Sequence, residues 1–311
     1  MNIMNQNKVL DQVKALIAQD KLTQAEVSRQ SSVSQQVLSP LLKGAYSGNS
    51  ELYIEALSNW INTYESGKKA LQQSFVEPSW VPTYTAKKLL NIMTISQALS
   101  VWTMAYEGAG VGKTVAARHY QQNNSNVWII TASPNLKARR AFLSAIARKM
   151  NITTNNMSID RLDYEIMQKI EGSNGLLIID EAQYVTDDAL NGLRILTENR
   201  VGVTLLGNDI VRTRMSAPRS RVNMNPVWSR ILKSHRIRNS TQKDIELYLK
   251  DWGITDSEVI QWAYKVIPTT TGQLRTLRNL IKLASGYAVS DNSAITMTHM
   301  DKAFGFIKEV A

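Results

Sequence analysis

The chain has no cysteine and only three histidines in 311 residues. The first absence excludes disulfides and thiolate-held metal, and the second leaves too few imidazoles for a histidine-rich metal cluster. Acid is also sparse: 26 Asp and Glu stand against 36 Lys and Arg, a formal charge of +10, with an isoelectric point near 9.6. Two stretches hold no acidic residue at all. One, between Glu107 and Asp160, carries Lys113, Arg118, Lys137, Arg139, Arg140, Arg148 and Lys149. The other, between Asp209 and Asp244, carries Arg212, Arg214, Arg219, Arg221, Arg230, Lys233, Arg236, Arg238 and Lys243. Such blocks suit a polyanion, nucleic acid foremost; a solvated basic face, with some arginines serving a nucleotide or a neighbouring subunit, is the other reading. Long apolar runs are missing, as is a positively charged start followed by an apolar segment. Neither a membrane span nor a secretory leader is expected, and the chain reads as a soluble cytoplasmic protein.

What the chain does have is 43% apolar residues, enough for a real core, and a length suited to two domains or one large domain with an appendage. Its organising stretch is Glu107-Gly-Ala-Gly-Val-Gly-Lys-Thr114. An apolar strand candidate, residues 101–106, precedes it, and a helix candidate starting at Val115 follows. A strand, a glycine turn and a helix in that order form a phosphate-binding loop. Gly108, Gly110 and Gly112 let the backbone N–H groups, that of Val111 included, face a phosphate chain at a helix N-terminus. Lys113 is expected to reach the outer phosphates and Thr114 to hold Mg2+. The pattern G-x-x-x-x-G-K-[ST] has glycine where this chain has Glu107, and a carboxylate there weakens phosphate binding unless it points away. A glycine turn without a ligand is the bland alternative.

Residues 1–65 read as helical. Val9, Leu10, Val13, Leu16 and Ile17 have helical spacing. Thr23 with Glu26 forms a capping box, and Ser34 caps the next helix. Two short helices around a tight turn, with Val27, Val33 and Val37 inward, resemble a helix-turn-helix of the Cro-like repressors, with Gln35, Gln36 and Ser39 facing a major groove. Ser32 stands where glycine is common, and Pro40 is expected to cut the second helix short. A helical bundle for protein contact is the rival. A closing helix over 51–65 is expected to turn Leu52, Ala56, Trp60 and Ile61 to one side. Gly67, Pro78 and Pro82 mark 66–85 as a linker. The α/β core is placed at 86–239 and a helical lid at 240–311.

Four more strand candidates follow the glycine loop: 126–131, 175–181, 202–207 and 231–237. The second of these delivers Asp180 and Glu181 at its carboxyl end, where ligands of parallel sheets collect. Asp180 is expected to bind Mg2+, directly or through water, and Glu181 to polarise the attacking water. Asn208, ending the next strand, suits a polar sensor of the terminal phosphate or the water; an N-cap is its plainer role. Arg230 is placed to act on the nucleotide of a neighbouring subunit, with Arg221 as competitor. Arg275, in Thr271-Gly-Gln-Leu-Arg275, is expected to fold over the nucleotide from the lid, against the plainer reading of a helix-surface arginine.

These motifs in chain order resemble the AAA+ ATPases, and more narrowly the phage Mu transposition protein B family, with TnsC-like transposon regulators more distant. The closer likeness is carried by Gly110-Val-Gly-Lys-Thr114, Asn126-Val-Trp128, Leu176-Leu-Ile-Ile-Asp-Glu-Ala182, Leu206-Gly-Asn208, Ser229-Arg230 and Leu274-Arg275, together with the helical N-terminus. The resemblance implies a P-loop core with a parallel five-stranded sheet flanked by helices, and a helical lid. It implies an ATPase, with ATP and Mg2+ as cofactors, that binds duplex DNA with little sequence preference and forms helical filaments of itself. It further implies that such filaments choose target DNA and deliver it to a DDE transposase, which stimulates hydrolysis and so produces target immunity. Where that family has a basic cluster, residues 151–158 here are polar and uncharged. Lys137, Arg139, Arg140, Arg148 and Lys149 are the DNA candidates instead. A helicase loader or replication initiator, and a nucleotide-gated helix-turn-helix regulator, are the alternatives.

Overall fold

The computed structural model describes residues 3–19, 22–72, 77–216, 224–291 and 293–308. The chain divides into two compact units, 1–74 and 75–311.

In the first unit the described residues form four helices: α1 (Ile3–Gln19), α2 (Gln24–Ser31), α3 (Gln35–Leu42) and α4 (Glu51–Gln72). The capping box forms as expected, with Thr23 and Glu26 each accepting the other's backbone N–H. Val9, Val13, Leu16, Val27, Val33, Leu38, Ile54, Leu57, Trp60 and Ile61 make its core. Three expectations change here. Pro40 lies inside α3, which ends only two residues later. Leu52 is 76% exposed, because the stripe that faces the core runs through Ile54, Leu57 and Ile61 instead. The helix also enters the stretch read as linker and runs to Gln72. Between Glu65 and Pro78 the sequence offers one glycine and several good helix formers, and a lone glycine costs a helix only about 1 kcal/mol.

The second unit opens with α5 (Tyr84–Leu99) and continues β1 (Trp102–Tyr106), α6 (Lys113–Asn123), β2 (Val127–Thr131), α7 (Arg139–Lys149), α8 (Ile159–Ile170) and β3 (Leu176–Asp180). Then come α9 (Asp187–Thr197), β4 (Gly202–Leu206), α10 (Asp209–Ser216), α11 (Asn225–Trp228) and β5 (Ile231–Arg236). It closes with α12 (Gln242–Asp251), α13 (Ser257–Val266), α14 (Gln273–Ser290) and α15 (Met297–Lys308). The strands pair in parallel in the order β2-β3-β4-β1-β5. Strands covered on both faces bury every residue, and β1, β3 and β4 do so. Alternate side chains serve two cores. Met104, Ile130, Leu177, Ile179, Val203 and Leu205 meet α7, α8 and α9, whereas Ala105, Ile129, Ile178 and Leu206 meet α5 and α6. β5 is the edge strand beside β1 and is largely exposed, whereas β2 forms the opposite edge.

The helices after β5 form their own core around Leu249, Trp262, Leu277, Ile281 and Met300. Asp244, fully buried, ties this lid to the sheet domain: its carboxylate accepts from Thr85 N–H (3.1 Å) and Oγ1 (2.8 Å), and from Thr241 N–H (3.0 Å) and Oγ1 (2.9 Å). Glu77 pairs with Arg278 and Lys282 on α14.

Candidate functional site

The central strands β1, β3 and β4 end at one edge of the sheet, and the glycine loop leaves β1 there. Glu107, Gly108, Gly110 and Gly112 all have positive φ (69°, 53°, 68° and 95°). Such a run needs residues without a Cβ at most of its positions. Space is as restrictive as conformation: a Cβ on Gly108 would meet the Ile237 carbonyl oxygen at 2.8 Å, and one on Gly110 the Gly272 carbonyl oxygen at 1.8 Å. Val111 is 1% exposed and pins the loop into the core, so only its backbone is offered to a ligand.

Lys113 opens α6. Its ammonium donates to the carbonyl oxygens of Glu107 and, at 2.7 Å, of Gly108. Burial holds its pKa below the usual lysine range, with Glu181 and Asp180 opposing. Thr114, next in the helix, donates its hydroxyl to Asp180 Oδ2 at 2.7 Å. Asp180 is 2% exposed, and burial raises its carboxyl above the ordinary aspartate range despite the Thr114 bond. Its Oδ1 accepts from Glu181 N–H at 3.1 Å. Glu181 itself turns out of the strand at φ 56°, and its charge adds to the upward push on the Asp180 carboxyl.

Gln183, which the motifs do not single out, links the strand ends. Its amide nitrogen donates to Glu181 Oε2 and its oxygen accepts from Asn208 N–H at 3.3 Å. Position two residues after the Asp-Glu pair is the only sequence signal it has. The Asn208 side chain accepts from Ile210 N–H at 3.0 Å, the helix-start contact of its plainer reading.

The lid reaches the loop. Arg275 N–H donates to Gly110 O at 3.3 Å, at the start of α14, and its guanidinium acts on Lys113 through space. Arg230 is not brought to this site within the chain. It stands just before β5, where its guanidinium binds Glu198 Oε1, with Nε at 2.8 Å, and Pro226 O at 2.8 Å. Arg219 and Arg221 lie outside the described residues.

The acid-free stretches are not acid-free in space. Arg139 pairs with Asp163 at 2.6 Å, Arg214 with Asp187, Arg230 with Glu198 and Arg236 with Glu107, each acid coming from elsewhere in the chain. Arg139 therefore also braces α7 against α8, with its side chain still 40% exposed among the other basic candidates. Lys137, Arg140, Arg148 and Lys149 are exposed on and beside α7. In the first unit Gln35 and Gln36 are exposed at the start of α3, and Ser32 takes φ 60° in the turn before it. Among the described residues no helix is long and apolar enough to cross a membrane.

Two family models match the chain, "AAA domain" over residues 108–215 and "Mu B transposition protein, C terminal" over residues 229–305. Between them they cover the phosphate loop through α10 and then β5 with the lid. The Mu-like prophage FluMu DNA transposition protein B of Haemophilus influenzae is 31% identical over 283 residues, spanning 89% of this chain and 96% of that one. The ATP-dependent target DNA activator B of Escherichia phage Mu is 26% identical over 302 residues, 97% of this chain and 95% of that one. Among solved structures, Cdc6p from Pyrobaculum aerophilum is similar at TM-score 0.55 and 15% identity, over 73% of this chain and 68% of that one. At that identity the likeness concerns the fold.

Proposed function

Because this chain belongs to the Mu-type DNA transposition protein B family, we propose that it is an ATPase that binds duplex DNA with little sequence preference, assembles on it with ATP, and presents it as target to a DDE transposase. The observation that supports this most directly is the Thr114–Asp180 contact, with Glu181 beside it and the lid backbone bonded to Gly110. Thr114 and Asp180 suit Mg2+ only with help, since the described residues contain no cluster of three or more metal-ligating side chains. A magnesium ion held by one hydroxyl and one carboxylate takes its other oxygens from water and from a nucleotide's phosphates. The protein's donor set fits a metal that arrives with a triphosphate.

Bound Mg·ATP supplies the phosphoanhydride that water cleaves to ADP and phosphate. Backbone N–H groups from Gly108 to Gly112 and the N-terminus of α6 bind the phosphate chain. Lys113 exchanges its two carbonyl partners for outer phosphate oxygens, an exchange its buried charge favours. Glu181 takes a proton from the attacking water, with Gln183 just after β3 and Asn208 at the end of β4 orienting it. Arg275 covers the site from the lid, and Arg230 acts on the nucleotide of the adjacent copy in an assembly.

Lys137, Arg140, Arg148 and Lys149 neutralise DNA phosphates, a contact that carries charge and little sequence information, and Gln35 and Gln36 offer a second surface for DNA or protein. The test is electron microscopy and salt-dependent binding of the purified protein on random duplex, with and without ATP. Extended ATP-dependent assemblies are expected, together with an ATPase rate that rises on adding the cognate transposase. No ATP-sensitive association at moderate ionic strength would sink the proposal, and isolated copies on one defined site would point to a transcriptional regulator.

A further inference from the structure

Glu107 occupies the position at which the phosphate-loop pattern has glycine, and its backbone still folds as the loop demands, with φ 69° and its carbonyl accepting from Lys113. Its side chain, however, is directed elsewhere. The parallel register sets Arg236 opposite Tyr106, one residue before Glu107. From there the guanidinium reaches the carboxylate with two prongs, Nε to Oε2 and Nη2 to Oε1, the latter at 2.9 Å. A two-pronged guanidinium–carboxylate pair fixes direction as well as charge. Among the described residues, Arg238 and Lys113 are further cations that act on this carboxylate.

Resting on the reading of this loop as an ATP site, we propose that Arg236 is a positioning residue. It holds the Glu107 carboxylate on the β5 side of the loop and so keeps Lys113 available to the nucleotide. Without Arg236, the carboxylate is an anion at the rim of an anion site with Arg238 and Lys113 as the cations near it, and Lys113 is the one that a phosphate would otherwise use. It then opposes the ligand twice, by repelling phosphate oxygens and by occupying Lys113. The glycine of the general pattern needs no such partner. This chain carries both the carboxylate and the arginine that contains it.

The experiment is equilibrium titration of a fluorescent ATP analogue with Mg2+, alongside steady-state ATPase kinetics, on wild type, Arg236→Ala, Arg236→Lys, Glu107→Gln and the Arg236→Ala/Glu107→Gln double variant. A carboxylate released at the solvent-exposed rim of an anion site sets the expected loss at on the order of tenfold in affinity for Arg236→Ala, growing at low salt and shrinking at high salt. It should appear in KM and not in kcat. Glu107→Gln alone binds at least as tightly as wild type, because it removes an anion from the rim of the site and leaves the Arg236 charge in place. The double variant recovers wild-type affinity, because a neutral side chain needs no restraint. Arg236→Lys, which keeps the charge and loses the fork, falls between. A purely structural arginine would lower the melting temperature and leave the double variant as weak as the single one. That result, or unchanged affinity in Arg236→Ala, overturns the proposal. Failure of the wild type itself to bind the analogue overturns the ATP reading and this inference with it.

Discussion

Replacing Gly110 by alanine tests whether the lid and the loop act as one unit. Gly110 has φ 68°, and an added Cβ would lie 1.8 Å from the Gly272 carbonyl oxygen and 2.5 Å from its carbon. Both obstacles are backbone, so no side chain can swing aside, and the start of α14 has to withdraw by about 1 Å or more. Holding an alanine in the left-handed region costs about 1 kcal/mol, and the withdrawal breaks the Arg275 N–H to Gly110 O bond, worth about 1 kcal/mol more. The loss falls on the closed lid and not on the sheet, whose cores do not include Gly110. About 2 kcal/mol is roughly a thirtyfold change in an equilibrium. The variant should therefore bind a fluorescent ATP analogue up to about thirtyfold more weakly and should also melt lower, because the strain and the lost bond burden the nucleotide-free fold as well. Affinity within about threefold of wild type would refute the coupling and leave the close approach of α14 as packing without consequence for the nucleotide.

Other changes probe the site and its supports. Glu181→Gln should retain ATP and DNA binding while cutting hydrolysis by about a hundredfold or more, freezing long-lived assemblies visible by electron microscopy; normal turnover would exclude Glu181 as the base. Asp180→Asn tests the buried carboxyl. Burial raises its folded pKa, so folding favours the protonated form; the penalty is absent at pH below the unfolded value and grows as pH rises through the folded one. The asparagine variant should melt higher than wild type without nucleotide at about pH 8, less so at about pH 4, and lose the thermal shift given by Mg·ATP. An unchanged shift would remove Asp180 from the metal site. Asp244→Ala strips the acceptor shared by Thr85 and Thr241 and should cost about 3 kcal/mol of stability, read as earlier denaturant unfolding; a change under about 1 kcal/mol would show the lid to be held by its apolar contacts instead.

Much of the fold was legible because it is written in short-range patterns. An apolar strand covered by helices is a near-continuous run of Val, Ile and Leu, as β2, β3 and β4 are, and all five strands lie within one residue of where the sequence places them. The glycines, Lys113, Thr114, Asp180 and Glu181 were legible as a set, since a loop that wraps phosphate and a strand that ends in acids impose residue types at adjacent positions. Helix ends were less so. α4 runs to Gln72 because Ser66 and Gly67 are weak stop signals without a proline beside them, and Leu52 faces outward because one position of slip along a helix turns a side chain by about 100°.

Sequence by itself thus determined which segments are strands and helices, where a phosphate loop and its acidic partner sit, and to which family the chain belongs, because each depends on residues close together in the chain. Only the tertiary structure decided who neutralises whom. Glu107 and Arg236 are 129 residues apart, Thr85 and Asp244 are 159 apart, and the acids that pair with Arg139, Arg214 and Arg230 come from outside the basic stretches. The strand order β2-β3-β4-β1-β5 sets Arg236 beside the loop. Charge acts across space and not along the chain, so a run of basic residues becomes a surface for polyanions only where folding brings it no carboxylate.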